Sequence, residues 1–369
     1  MTTHAIPTTD PDFAPLPFEL RRDIERGLVG AVADHGQLTN TQRRILRAIG
    51  SSILGVDFDV DHESPASAEE LAQALNGQPE PVRHRVVQFM MVLELILDPL
   101  PPEVAAKVET YAKALGVEDD LLTVGRDYAE GAFGLALKDL DRNGYFHDFD
   151  DHGNLEQRLH VHRTLTEPFE HVHDDAELKA EWEQLGTLPE GSLGRAVWRF
   201  YRSRGFAFPG EPESVAPTLA QHDFIHVLAD YGATMEGEIE TFAFISSADP
   251  NPHGFSWLAT VLGVFETGYV PTAAGGVLEA DRGHLDDEGM CIRLADALRR
   301  GREVNVDLVG GVDYFELASL PLEEAQKRLN IPPKAAAARD AGSAGVDERG
   351  GYSTWQVEHG NAEWQAFRT

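Results

Sequence analysis

The sequence predicts a mainly α-helical protein of two helical domains, the C-terminal one a metal-binding helical bundle. Three observations predict it. Apolar residues recur at helical spacing between recognisable caps, and nothing between residues 20 and 140 reads as a strand. His222 and His226 stand one helical turn apart, so both imidazoles can reach one ion. Glu238 follows twelve residues after His226. On one straight helix it would lie about 18 Å up the axis, so as a ligand it requires the chain to turn back.

Size and charge narrow the class. At 369 residues the chain is long enough for two domains, each able to bury a core. A formal charge of −31 argues against nucleic acid or an anionic bilayer as an electrostatically held partner. One cysteine, Cys291, excludes an internal disulfide framework and fits a reducing compartment. The N-terminal segment shows no basic n-region followed by an apolar h-region. The longest apolar run, Val86 to Leu97, is about two-thirds of the length needed to span a bilayer and contains Gln88 and Glu94. The expected location is cytoplasmic.

Residues 1–17 are rich in Thr, Pro and Asp and read as disordered. Residues 18–140 then form a helical series. Thr39 with Gln42 is a capping box, and Ile45, Leu46, Ile49 and Ile53 make an apolar stripe behind it. Ser67 with Glu70 starts the next helix, which Asn76-Gly77 ends. Pro81 to Leu97 is strongly apolar and closes at Asp98-Pro99, and Pro102 to Leu115 stops at Gly116. Asp119 to Leu140 is the last of the series, weakened by Gly125, Gly131 and Gly134. The helix order is similar to that of the TerB-like tellurite-resistance domain. The acidic turn Val56 to Asp61, followed by Glu69 and Glu70, lacks that family's glycine, so an interaction module is the expected role.

Residues 141–159 read as an acidic linker. Asp139, Asp141, Asn143, Gly144 and Asp150 match positions of a calcium-binding loop, but Asp150 replaces the bidentate Glu and no paired loop is evident. His152, His160, His162, His171 and His173 follow without a spacing typical of a site and read as solvent-exposed. In Leu188 to Phe208, Pro189, Gly191 and Gly194 lead into a helix with Leu193, Val197, Phe200 and Tyr201 on its apolar side. Arg195, Arg199 and Arg202 line a neighbouring face and Arg204 follows, a set able to hold a planar anion or simply to balance nearby acids. Beyond His226, Tyr231 to Thr234 supply a turn with Gly232 as the helix stop, placing Glu238 early in an antiparallel second helix. His with carboxylate is a ligand set for zinc or another divalent first-row metal, and packing histidines are the alternative.

With Leu188 to Gly194 in front and His222, Asp223, His226 and Glu238 behind, this half resembles the Coq-four ubiquinone (coenzyme Q) biosynthesis proteins. Their hallmark is His-Asp-x-x-His, eleven residues, then Glu. Ala297 to Gly301, Leu320 to Glu324 and Leu329 to Ile331 match the end of that domain, so the resemblance covers about residues 160–332. Departures are Ala196-Val197-Trp198 in place of an aromatic pair and Phe224-Ile225 within the motif. The resemblance implies metal ligation by His222, Asp223, His226 and Glu238, with Asp223 either on the ion or orienting His226. It implies action on a polyprenylated aromatic acid, with oxidative decarboxylation at ring carbon 1, in which Arg195 and Arg199 would assist the carboxylate. A non-catalytic organiser that binds lipid and metal is the alternative. The implied partners are an isoprenoid lipid, other quinone-biosynthesis proteins, a membrane surface met peripherally and a second copy of the chain. Phe255, Trp257, Leu258, Val261, Leu262 and Phe265 form an amphipathic stretch able to line a groove for the isoprenoid tail or to pack a core. Residues 333–369 read as a flexible tail, with Trp355 and Trp364 near its end.

Overall fold

The computed structural model describes residues 13–57, 64–119, 122, 125, 175–211, 214, 217–249, 254–255, 258–259, 261–262, 283–304 and 306–347. Among them the protein is helical, with thirteen α-helices and no sheet. No helix among the described residues is long and apolar enough to cross a membrane.

The N-terminal series begins with α1 (Phe18–Val32) and α2 (Asn40–Ile49). The expected capping box opens α2, with Gln42 N donating to Thr39 Oγ1 at 3.1 Å and Thr39 N to Gln42 Oε1 at 2.9 Å. The Ile45, Leu46, Ile49 and Ile53 stripe is buried, its last member on a looser π-turn, Gly50–Leu54, that ends at the left-handed Gly55. Ser67 and Glu70 cap α3 (Ala68–Ala74) in the same reciprocal way. α4 (Glu80–Leu95) is buried on nearly every side by α1, α2 and α5 (Pro102–Leu115), which is why it reads as apolar throughout. Gly116 closes α5 in the left-handed conformation, φ 66°. Most of the predicted Asp119 to Leu140 helix, the acidic turn from 58 to 61, the calcium-type loop, the linker and the histidine run lie outside the described residues.

The second series comprises α6 (Ala176–Gln184), α7 (Leu193–Arg204), α8 (Pro217–Ala229), α9 (Met235–Ala248), α10 (Gly289–Arg302), α11 (Tyr314–Leu317), α12 (Leu322–Arg328) and α13 (Ala336–Asp340). Two segments singled out by sequence meet here. Leu193 N donates to Leu320 O at 2.9 Å, Gly194 N to Ala318 O at 2.8 Å and Leu322 N to Gly191 O at 2.9 Å, clasping the start of α7 to the start of α12. α10 packs along α9 on one side and against α2 and its π-turn on the other. There Arg302 Nη1 donates to Ser52 O at 3.2 Å and Ile53 O at 3.3 Å, and Arg44 Nη1 reaches Asp286 at 2.9 Å. The two helical series therefore share a contact surface.

One expectation needs correction. The tail is not flexible from residue 333: Pro332 to Asp347 carries α13 and docks on the second series through buried polar anchors. Arg300 Nε donates to Pro332 O at 3.0 Å, Ala335 N to Asp296 Oδ2 at 3.1 Å, and Ser343 Oγ to Glu240 Oε1 at 2.5 Å. Its small, polar composition mimics disorder because it packs by backbone hydrogen bonds rather than by bulky side chains. Residues beyond 347, with Trp355 and Trp364, lie outside the described residues. In the amphipathic stretch Phe255, Leu258, Val261 and Leu262 are buried in the core, in line with the packing alternative, and Phe255 packs edge-on to Phe89 at 5.0 Å and under Arg85 at 4.4 Å. Trp257 and Phe265 are outside the described residues.

Candidate metal centre

α8 and α9 form the hairpin that the His-to-Glu spacing demands. His226 faces Glu238 and Thr241, while His222, a turn earlier, lies against Phe242 at 5.4 Å. As one number falls the other rises, so the helices run antiparallel. The helix stop differs from expectation. α8 ends at Ala229, and Asp230 rather than Gly232 takes the left-handed conformation, φ 60°. Tyr231 N then donates back to His226 O at 3.0 Å, the six-to-one closure of a Schellman turn. Asp tolerates this conformation better than most residues, and Val346 N donates to its Oδ1 at 3.1 Å. Glycine is required for closeness: a Cβ on Gly237 would stand 2.0 Å from Gly232 O. Thr234 caps α9 by accepting from Gly237 N at 3.2 Å.

The hairpin brings three ligand atoms together. His222, His226 and Glu238 each offer one within 4.8 Å of the others. Glu238 Oε2 lies 3.2 Å from His226 Nε2 and 3.4 Å from His222 Nε2. Ligands about 2.1 Å from a tetrahedral zinc stand about 3.4 Å from one another, so the spacing fits an ion at their centre. The tautomer fits as well. Thr241 Oγ1 donates its proton to Gly237 O at 2.8 Å and so meets His226 Nδ1, 3.2 Å away, as an acceptor. Tyr231 O is a second acceptor at 3.3 Å. The proton therefore sits on Nδ1, and Nε2 turns toward Glu238 with a lone pair or a second proton. A lone pair there calls for a cation between it and the carboxylate, whereas a second proton makes the contact an imidazolium–carboxylate pair.

Electrostatics separate the two carboxylates. Burial pushes Glu238 up, but the positive charge and hydrogen bonds of His226 and His222 outweigh it and hold the carboxyl well below the usual range. Asp223 behaves oppositely: burial raises it despite His222, His226 and a hydrogen bond from Tyr201. Its Oδ2 accepts from Tyr201 at 2.5 Å, its Oδ1 lies 3.6 Å from His222 Nε2, and it is not among the three converging ligands.

The arginines divide. Arg195 and Arg199 are not brought to the cluster: both engage Glu190, at 3.1 and 3.3 Å, and Arg195 also stacks on Trp198. Arg204 stands roughly 180° around α7 from Arg195. It is buried, stacks on Phe200 at 4.2 Å, and Phe200 stacks in turn on His226 at 5.4 Å. Burial lowers Arg204 to about 10, against the opposing charges of Asp223, Asp347 and Glu238. Sequence reasoning missed Tyr201, assigned to the apolar side, and Thr241, whose only signal is a threonine three residues after the Glu. A second grouping, Asp34, His35 and Glu103, lies at the surface with all three side chains over 40% exposed.

No protein-family profile and no curated protein matches the chain. Among solved structures, the chain is similar to a crystal structure from Nostoc punctiforme PCC 73102 whose assignment to ubiquinone biosynthesis is itself provisional. The two are 16% identical, the match covers 68% of this chain and 98% of that one, and the TM-score is 0.31, a level from which neither fold nor function follows.

Proposed function

We propose that the chain binds a divalent first-row metal, zinc in the first instance, through His222 Nε2, His226 Nε2 and Glu238 Oε2. We further read it as a ubiquinone-biosynthesis-type protein acting on a polyprenylated aromatic acid. The ring carboxylate leaves as carbon dioxide and a hydroxyl takes its place, a two-electron oxidation for which dioxygen would be both oxidant and oxygen source. The observation that carries the reading is the convergence of two imidazole nitrogens and one carboxylate oxygen, with Nδ1 of the buried His226 facing two oxygens so that Nε2 is the atom turned to the site. Three protein ligands leave a position for substrate, the pattern of reactive rather than structural sites. The His222, Asp223, His226 and Glu238 motif, with Leu188 to Gly194 before it, supports the substrate class.

When bound, the ion supplies Lewis acidity toward the ring carboxylate or its neighbouring phenol oxygen. The chain itself orients and encloses. Tyr231 O and Thr241 aim His226, Tyr201 steadies Asp223 beside His222, and Phe200 and Phe242 wall the two imidazoles with apolar rings. Because Arg195 and Arg199 are engaged with Glu190, recognition of the substrate carboxylate falls to the metal position. The test is elemental analysis of the purified protein with lipid extraction and mass spectrometry. About one metal ion per chain is expected, lost in the His222→Ala, His226→Ala double variant, together with a polyprenyl aromatic in the extract. A metal content unchanged by the double variant overturns the site. An extract of ordinary phospholipid alone overturns the substrate class. Loss of quinone product with intact pull-down of pathway partners marks an enzyme, and loss of both marks an organiser.

A further inference from the structure

We infer that the C-terminal strap Pro332 to Asp347 is a working part of the metal centre, because it sets the peptide plane that holds His226. The inference rests on the metal reading above and names the element that positions its most buried histidine. One peptide unit, Tyr231–Gly232, carries the connection. Its carbonyl faces His226 Nδ1 at 3.3 Å, and its N–H donates to Ala344 O, in the strap, at 3.2 Å. A trans peptide is rigid and planar, with C=O and N–H pointing in opposite directions. Fixing the N–H on one side therefore fixes the carbonyl aimed at the imidazole on the other.

The strap is itself anchored around this unit from three directions. Val346 N donates to the Asp230 carboxylate at 3.1 Å, and Arg204 Nη2 donates to Val346 O at 2.8 Å. Lys334 Nζ donates to Ala344 O at 2.9 Å while lying 4.8 Å from the centre of the Tyr231 ring. Ser343 Oγ donates to Glu240, two residues after the ligand Glu238. Gly232 stands where the chains come closest, since a Cβ there would meet Gly345 O at 3.2 Å and Ala344 Cβ at 3.3 Å. Two of these anchors, Val346 N on Asp230 and Ala344 O on Gly232 N, fall on the residues flanking Tyr231, whose carbonyl meets His226. The remaining anchors, on Arg300, Asp296 and Glu240, seat the strap, and these two fix the peptide plane.

Asp230→Ala removes the acceptor for Val346 N and loosens the strap. Because alanine also strains the left-handed position, Asp230→Gly, which keeps that conformation without the carboxylate, is measured beside it and is expected to lose affinity equally. Asp230→Asn keeps an acceptor oxygen and the tolerance for the left-handed conformation. Ser67→Ala, in the capping box of α3, serves as a control that costs stability far from the centre. Zinc affinity by chelator competition is expected to fall about tenfold in Asp230→Ala, to return toward wild type in Asp230→Asn and to stay unchanged in Ser67→Ala. The imidazole nitrogen NMR shifts of His226 should show a mixed tautomer in Asp230→Ala and Asp230→Gly alone. Ser343→Ala is the milder second variant should Asp230→Ala fail to fold, and a smaller loss of affinity in the same direction supports the strap. Wild-type affinity in both variants or in Asp230→Gly, or an equal loss in Ser67→Ala, overturns the inference while leaving the metal site standing. A wild-type protein that binds no zinc, cobalt or other divalent ion overturns the metal reading, and the strap's role falls with it.

Discussion

α4 and α9 are both buried almost throughout, yet they treat their polar residues differently. In α4, Gln88 is fully buried with neither amide atom partnered, and Glu94 is buried with Oε2 unpartnered, among the described residues. In the first two turns of α9 every buried polar side chain has a named partner. Glu238 meets His222 and His226, Glu240 meets Arg293 and Ser343, and Thr241 meets Gly237 O and His226. Further along the same helix, Ser246 and Ser247 hydroxyls again lack partners. Satisfaction is concentrated in the turns of α9 that carry Glu238, toward α8 through Glu238 and Thr241 and toward α10 and the strap through Glu240. An unmet buried polar group costs stability, whereas a met one fixes geometry.

The contrast is broken most severely at Arg293. Its Nη2 lies 2.7 Å from Glu240 Oε2, with both side chains almost wholly buried. Arg293→Ala leaves that carboxylate without its charge partner and is expected to cost about 3–5 kcal/mol in denaturant unfolding. Adding Glu240→Gln to the same chain should recover much of the loss, as a double-mutant cycle would register. A loss under about 1 kcal/mol in the single variant would mean that this part of α9 is no better wired than α4.

A smaller and more local change is Thr241→Val, which keeps shape and burial but removes the oxygen facing His226 Nδ1. Zinc affinity should fall by about 10- to 100-fold, with Thr241→Ser close to wild type. Equal affinities for the valine and serine variants would show that Tyr231 O alone suffices to hold the ring.

Much of this arrangement was legible from spacing. Both capping boxes, the left-handed stop at Gly116 and the helical hairpin around Glu238 follow from local patterns, and local patterns survive folding. Non-local placement did not show. Arg195 and Arg199 carry the charge suited to an anion, but their helical phase puts them on Glu190, and no local rule reveals which face of α7 meets α8. Gly232 looked like the helix stop because glycine is the usual left-handed residue. Asp230 takes that role, partly because a segment over a hundred residues later holds its carboxylate. The strap escaped for the same reason: its small polar residues score as disorder unless the surface they hydrogen-bond to is known.

Glu94 gives the mildest change and the one with a pH signature. Burial, and secondarily the charge of Glu109, raises its carboxyl well above the usual value. The native state therefore holds this proton where the unfolded chain has released it, and stability falls as pH climbs above about 4.3, the unfolded value. The loss stops growing once pH passes the raised native value. Glu94→Gln removes the charge that must otherwise be buried or neutralised. The variant should match wild type below about pH 4 and pull ahead as pH rises toward neutrality. Thermal unfolding of both proteins from acid to neutral pH measures the gap directly. A gap independent of pH, or a variant less stable at neutrality, would mean that the Glu94 carboxylate is compensated after all, and α4 would then resemble the start of α9 rather than contrast with it.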